Sequence, residues 1–174
     1  MFDLRSVRLT AGEQHRQVLP VEVARFTVGG EPYTAEPPVV DAAFAVTRLR
    51  NGWVFDEKFD VEVHGPCHRC LEEAVVDLSI EAQEFHSLDP ELAGDEDMTS
   101  PYLTGDDVLD TDRMASDAVI LAMPVQVLCR TDCAGLCPRC GANLNEGPCN
   151  CPPEEPDHRW SKLGELLEPG GSGS

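Results

Sequence analysis

Eight cysteines are the residues of this chain whose type and spacing could do chemistry. They form an isolated Cys67-His68-Arg69-Cys70 pair and a group of six within residues 129–151. In Cys137-Pro138-Arg139-Cys140-Gly141, two intervening residues let both sulfurs turn toward one ion, and the glycine lets backbone amides approach the thiolates. Thiolates prefer a soft or borderline cation, so this pattern predicts a structural metal site, with zinc favoured over iron.

The sequence leaves the ligands of that site open among the six cysteines of residues 129–151. One predicted set combines the knuckle with the last two cysteines: Cys137, Cys140, Cys149 and Cys151. The other combines the knuckle with the first two: Cys129, Cys133, Cys137 and Cys140. If the first set binds, a second four-sulfur site becomes available to the remaining cysteines: Cys67, Cys70, Cys129 and Cys133. Otherwise Cys67 and Cys70 are reduced thiols at the end of a strand.

The Cys67-x-x-Cys70 pair also allows a different function, that of a thiol-based redox enzyme or sensor. Such dithiols usually follow a strand within a βαβ unit, which this sequence does not predict. A reactive thiol needs a lowered pKa, and the negative charge of this chain opposes one. The sequence contains no phosphate-binding loop, nucleophile elbow or His-Glu-x-x-His motif. We therefore expect a protein that is not an enzyme.

Charge and composition restrict the partners. The chain has 174 residues and a formal net charge of −19. This charge repels phosphate backbones, so it argues against DNA and favours a basic protein partner. The start lacks a signal-peptide core, and the longest apolar run, 118–125, is far shorter than the roughly 20 residues of a membrane span. These features predict a cytoplasmic protein, in which cysteines bind metal more often than they form disulfides.

The first half of the sequence has the alternation of apolar and polar residues that is typical of strands. It is clear at Phe59–Val63 and again at Val76–Ala82. Asn51-Gly52 lies between two such runs and predicts a tight hairpin whose turn residues need positive φ. The sequence therefore predicts an α+β, mainly β fold, an antiparallel β-sandwich or small barrel whose β core occupies residues 1–88.

The second half predicts helices around the metal-binding lobe. Residues 89–110 contain eight acidic side chains and no Lys or Arg, which predicts a solvated loop. A helix should follow within 111–128, capped by Asp110 or Asp112 and ended by Pro124. Its predicted buried stripe consists of Met114, Ala118, Leu121 and Val125. After the zinc lobe at 129–151, we expect a C-terminal helix within 152–168, at about 157–167, and a flexible tail at 169–174.

The cysteine motifs resemble those of a known family, the YceD or large ribosomal RNA subunit accumulation proteins. The matching blocks are Cys67–Glu72, Leu128–Gly141, Asn143–Asn145 with Cys149–Cys151, and Asp157–Trp160, in which His158 replaces the usual proline. The resemblance implies a non-catalytic role in ribosome biogenesis, supporting the accumulation or processing of 23S ribosomal RNA. It implies a pre-50S particle, ribosomal RNA or a basic large-subunit ribosomal protein as partner. Since some relatives lack the later cysteines, it also implies a structural metal.

Overall fold

A six-stranded antiparallel sheet forms the body of the protein. The computed structural model describes residues 1–89, 91 and 98–152 of the chain. Its elements are β1 (Phe2–Asp3), a 3-10 turn (Leu4–Ser6), β2 (Gln14–Glu22), β3 (Phe26–Val28), β4 (Glu31–Ala35), β5 (Val39–Arg48), β6 (Gly52–Pro66), β7 (Glu73–Ser87), β8 (Val108–Leu109) and α1 (Thr111–Ala122).

The long strand β6 organises the sheet. It pairs with β7 along its whole length, from Gly52 opposite Ser87 to Pro66 opposite Glu73. On its other side it pairs first with β5 and then with β4, and these two strands in turn pair with β2 and β3. No pairing among the described residues joins β2 to β7, so the sheet does not close into a barrel. The mainly β, antiparallel class predicted from the alternation is confirmed.

The hairpin between β5 and β6 forms where Asn51-Gly52 predicts it, but its turn has a different geometry and Gly52 has a different role. Arg48 pairs with Trp53, and three residues, Leu49 to Asn51, make the connection. Neither Asn51 nor Gly52 has a positive φ, so this is not the predicted two-residue turn. Gly52 is required because β7 approaches closely: a Cβ there would lie 2.4 Å from the His86 carbonyl oxygen.

One face of the sheet is buried, and α1 packs across it against β2 and β7. On β6 the buried stripe follows strict alternation because successive side chains point to opposite faces. The apolar residues of this stripe are Phe55, Phe59, Val61 and Val63. Glu57 lies within the same stripe and is completely buried, although neither of its carboxyl oxygens has a hydrogen-bond partner.

The helix α1 begins and ends where the sequence predicts. The side chain of Asp110 caps it by accepting a hydrogen bond from the Arg113 N–H, and its last residue is Ala122, before Pro124. The predicted buried stripe is wrong in part, because Leu121 is 86% exposed and Val125 is 96% exposed. The buried face consists of Thr111, Met114, Ala115, Ser116 and Val119. The 3.6-residue spacing fits both the predicted face and the observed one. The observed face is the one that packs on the sheet, and its small residues Ala115 and Ser116 allow close packing.

The segment predicted as an acidic loop contains a short strand. β8 pairs with β1, and Leu109 of β8 is fully buried. The predicted C-terminal helix and tail lie outside the described residues. Within the described ranges, no helix is both long and apolar enough to cross a membrane.

Candidate metal centres

The first four-cysteine group, called here the proximal cluster, lies at the end of the sheet where β6 turns into β7. The Sγ atoms of Cys67 and Cys133 are 3.7 Å apart, and those of Cys70 and Cys129 are 3.5 Å apart. A disulfide would require about 2.05 Å. Sulfurs arranged tetrahedrally about 2.3 Å from a zinc ion would be about 3.8 Å apart. All four Sγ atoms lie within 4.8 Å of one another, so the cluster could hold a metal ion.

The connection from β6 to β7 positions the first two sulfurs. Cys67 follows β6 directly, and its N–H donates to the Glu72 carbonyl at 2.8 Å, which continues the hairpin ladder. The Leu71 N–H donates back to the Cys67 carbonyl at 3.0 Å, and Leu71 has a φ of 64°. This tight turn directs the Arg69 N–H toward the Cys67 Sγ, 3.4 Å away. The local backbone therefore already provides a donor to a thiolate.

Backbone hydrogen bonds join this connection to the segment after α1, which supplies the other two sulfurs. The His68 N–H donates to the Val127 carbonyl at 2.8 Å, and the Leu136 N–H donates to the Arg69 carbonyl at 3.1 Å. The Arg69 guanidinium donates to the Cys133 carbonyl at 2.9 Å. Gly135 has a φ of 77°, and a Cβ there would lie 3.2 Å from the Arg69 carbonyl oxygen. The two segments therefore meet as one packed unit.

The second group, called here the distal cluster, gathers the last four cysteines. Its Cys137 Sγ lies 3.4 Å from that of Cys149 and 3.9 Å from that of Cys151. The predicted knuckle forms: the Gly141 N–H donates to the Cys137 carbonyl at 2.9 Å, and Gly141 has a φ of 73°. All four Sγ atoms, those of Cys137, Cys140, Cys149 and Cys151, lie within 4.8 Å of one another. This cluster too could hold a metal ion.

Asn145 contacts the proximal cluster, a role that the sequence reasoning missed. Its side-chain amide donates to the Cys133 Sγ at 3.4 Å. Its carbonyl oxygen accepts hydrogen bonds from the Ala134 N–H and the Arg130 guanidinium, both at 2.8 Å. These bonds orient the amide, so a residue that lies in sequence between Cys140 and Cys149 stabilises a sulfur of the proximal cluster. The signals in the sequence were its place inside the cysteine-rich segment and its membership of the Asn143–Asn145 block.

The two clusters differ in burial. Cys67, Cys70 and Cys133 are at most 3% exposed and belong to the main hydrophobic core. In the distal cluster Cys137 is buried, but Cys140 is exposed. The proximal cluster is therefore part of the core of the sheet, whereas the distal cluster lies on the outer side of the lobe.

The thiols within a cluster have different proton affinities. The Asn145 amide lowers the pKa of Cys133. The backbone N–H groups of Cys140 and Arg139 lower the pKa of Cys137 to about 6. Burial raises the pKa of Cys129 to about 12, and the neighbouring Cys140 side chain followed by burial raises that of Cys151 to about 12. Protein groups alone therefore do not stabilise four thiolates in one cluster, but a divalent cation would.

The structure brings together the first predicted ligand set and the predicted second set. Among the described residues, the alternative set of Cys129, Cys133, Cys137 and Cys140 does not form one group. His68 lies between two cysteines, but its ring stands edge-on to Tyr33, with centroids 6.3 Å apart, and joins neither cluster. Which residues bind a metal ion, and which ion, stays a prediction.

Comparison with known proteins relates this chain to one family. A family profile described as "Large ribosomal RNA subunit accumulation protein YceD" matches residues 55–167. An uncharacterized protein of Mycobacterium tuberculosis (strain ATCC 25618 / H37Rv) is 36% identical over 107 residues, 60% of this chain and 51% of that protein. The Arabidopsis thaliana protein named "Large ribosomal RNA subunit accumulation protein YCED homolog 1, chloroplastic" is 38% identical over 60 residues, 34% of this chain and 19% of that protein. The chain spans about half the length of its Mycobacterium tuberculosis relative. No solved structure gives a significant match.

Proposed function

This chain belongs to the YceD family of large ribosomal RNA subunit accumulation proteins, and we propose that it is a non-catalytic accessory factor in ribosome biogenesis that supports the accumulation or processing of 23S ribosomal RNA. The observation that carries the proposal is the extent of the family match. Residues 55–167 include most of β6, all of β7 and α1, and every cysteine of both clusters. The matched part therefore contains both clusters.

Within this proposal both clusters bind zinc as structural ions, with iron as the less favoured metal. The ligands are those gathered by the proximal and distal clusters: Cys67, Cys70, Cys129 and Cys133, and Cys137, Cys140, Cys149 and Cys151. Four thiolates complete a tetrahedral shell and leave no position for water or substrate. A bound zinc ion would thus supply cross-linking and no reaction step.

Metal binding would provide folding energy that the lobe lacks. Between residues 128 and 152 the only buried side chains among the described residues are those of Cys133 and Cys137. Structural zinc contributes about 10–16 kcal/mol of apparent binding free energy in zinc-finger peptides, which exceeds the net stability of many domains. Loaded with metal, the lobe is a rigid extension of the sheet and offers a defined surface to a partner.

We propose a pre-50S particle, through its ribosomal RNA or a basic large-subunit ribosomal protein, as the partner, in the cytoplasm. A net charge of −19 attracts basic ribosomal proteins and repels free nucleic acid. Protein-mediated contact is therefore favoured over direct RNA contact, and neither DNA nor a membrane is part of the proposal.

Affinity capture tests this function. The tagged full chain is expected to enrich large-subunit precursors from lysate at low salt, detected by mass spectrometry of proteins and sequencing of the associated RNA. An unrelated protein of similar negative charge, carried through the same capture, controls for electrostatic attraction alone. Enrichment of neither large-subunit proteins nor 23S precursors above that control would refute the proposal.

The alternative function, a redox enzyme or sensor using Cys67 and Cys70, is disfavoured by burial. Both thiols are at most 3% exposed and each lies beside a sulfur of another segment. The expectation that charge opposes a lowered pKa is wrong for Cys67: burial raises its pKa, but backbone N–H groups, that of Arg69 first, lower it overall to about 6. A reactive dithiol also needs an accessible thiolate, which this burial denies. Thiol titration of the metal-loaded protein distinguishes the two functions: two fast-reacting thiols would support the redox function, and protection that is lost on chelation supports the structural one.

A further inference from the structure

β7 is an edge strand of unusual length. It has 15 residues and pairs only with β6 among the described elements. Natural proteins usually protect such an edge with lysine, proline, a bulge or a covering element, because its unpaired backbone groups can bind another strand. β7 contains neither lysine nor proline, and its register with β6 continues without a bulge.

Hydrogen bonds at both ends of the β6–β7 hairpin show which backbone groups face the open edge. The Cys67 N–H donates to the Glu72 carbonyl and the Leu88 N–H donates to the Asn51 carbonyl, both at 2.8 Å. In an antiparallel pair, these two bonds mean that the backbone N–H and C=O groups of every even-numbered residue of β7 point toward β6. The N–H and C=O groups of the odd-numbered residues therefore point outward, among them those of Ser79, Glu81 and Gln83.

A groove of about 520 Å³ runs beside this edge, between β7 and α1. Residues 79–84 form one wall. Met114, Ala118 and Leu121 of α1 line the other wall, and Leu121 is 86% exposed. The inward side chains of a strand added to β7 would meet this apolar wall, since alternate residues of a strand point to the same side.

The charges around the groove are mainly negative. β7 carries four acidic residues and no basic one: Glu73, Asp77, Glu81 and Glu84. Glu84 lies on the groove side beside Tyr102, and burial raises its pKa. Lys58 pairs with Glu81 at 2.9 Å, whereas Asp77 is exposed and has no ion pair among the described residues. An occupant with lysine or arginine at some positions and apolar residues at others complements this surface.

We propose that the groove between β7 and α1 binds an extended basic segment of a partner protein as an added strand. The backbone of the segment pairs with residues 75–83, its inward apolar side chains contact α1, and its basic side chains meet the carboxylates of β7. The proposal rests on the proposed function in one respect, the expectation that the partner is a basic large-subunit ribosomal protein. A second copy of this chain does not fit, because two β7 edges would place like charges opposite each other.

A peptide probe tests the groove directly. The probe is a capped peptide of about seven residues that alternates valine with lysine, added to the full metal-loaded chain. On binding, the exchange of the Ser79, Glu81 and Gln83 amide hydrogens, measured by NMR, should slow at least about tenfold, because these hydrogens become bonded. The same peptide with glutamate in place of lysine, and one with alternate backbone nitrogens methylated, should not bind.

Matched variants separate strand addition from general attraction. Ser79→Pro removes one outward N–H without breaking a bond to β6 and should weaken peptide binding about tenfold, while Ser79→Ala keeps the N–H and the affinity. Val75→Pro removes an outward N–H on the same edge but away from α1 and should have a smaller effect. Asp77→Asn removes an exposed carboxylate from the face where the lysines lie, and it should weaken the lysine peptide but not a serine analogue of it. If Ser79→Pro does not fold, the methylated peptide still decides the question.

Undiminished binding of the N-methylated peptide, or protected amides elsewhere than on β7, would overturn the inference. Lysate capture gives a second test. If the wild type and Ser79→Pro enrich large-subunit proteins equally, the groove inference is overturned, but the proposed function stands. No enrichment by the wild type would instead refute the proposed function, and the peptide measurements would still decide whether the groove accepts a strand.

Discussion

The Sγ atoms of Cys67 and Cys133 lie 3.7 Å apart although the two residues are 66 positions apart in the chain. The loop between them contains β7 and α1. A metal ion bound to both sulfurs would close this loop, and cross-links across long loops remove the most conformational entropy from the unfolded chain. The proximal cluster is therefore expected to stabilise the whole domain.

Serine substitutions in the two clusters should have different consequences. Wild-type protein is expected to contain about two zinc ions per chain, and Cys67→Ser or Cys149→Ser about one. Cys67→Ser should lower the free energy of unfolding by several kcal/mol because Cys67 is fully buried in the main core, and Cys149→Ser by less. Elemental analysis and denaturant unfolding measure these effects. Full metal content in both variants would show that the clusters are not the binding sites.

Gly135 should be less replaceable than Gly141. Both have positive φ, so alanine costs about 1–2 kcal/mol of backbone strain at either position. At Gly135 the added Cβ would also lie 3.2 Å from the Arg69 carbonyl, whereas at Gly141 nothing lies within 4 Å. Gly135→Ala should therefore release metal at lower chelator concentration than Gly141→Ala, measured by competition with a zinc indicator. Equal sensitivity would argue against the packed contact between lobe and hairpin.

Asp110 should stabilise α1 through its cap. Asp110→Ala removes the hydrogen bond from the Arg113 N–H, 3.1 Å long, and should cost about 1 kcal/mol. Asp110→Asn keeps an acceptor and should cost much less. Thermal unfolding of the three proteins checks this order. If the asparagine variant loses as much stability as the alanine variant, the effect of Asp110 comes from its charge and not from the capping hydrogen bond.

Glu57 should make stability depend on pH. Burial raises its pKa to about 8, and the charge of Asp112 acts in the same direction. Since the folded state keeps a proton that the unfolded chain releases above about pH 4.3, stability should fall between about pH 4.3 and 8. Glu57→Gln copies the protonated side chain and should gain on the order of 2–4 kcal/mol at pH 8 and little at pH 4. Exposed Glu81→Gln is the control, and an unchanged slope for Glu57→Gln would contradict the prediction.

Local patterns predicted the elements better than their contacts. Alternation located β6 and β7, and Asp110 and Pro124 bounded α1, because capping and proline geometry act within a few residues. The predicted stripe through Leu121 and Val125 is wrong because two faces of a helix have the same spacing. Only packing against the sheet chooses between those faces.

The cysteine pattern by itself determined that a metal site with thiolate ligands was to be expected, since knuckle geometry is local. It left the ligand sets open, because partners far apart in sequence have no local signal. Only the tertiary structure decided that Cys67 and Cys70 meet Cys129 and Cys133. The connection between β6 and β7 contains the first pair and packs against the segment after α1, which contains the second pair. The tertiary structure also brought the Asn145 amide to the Cys133 sulfur and, among the described residues, left the edge of β7 without a second strand beside α1. Those relationships depend on how distant segments pack, and not on the order of residues within one of them.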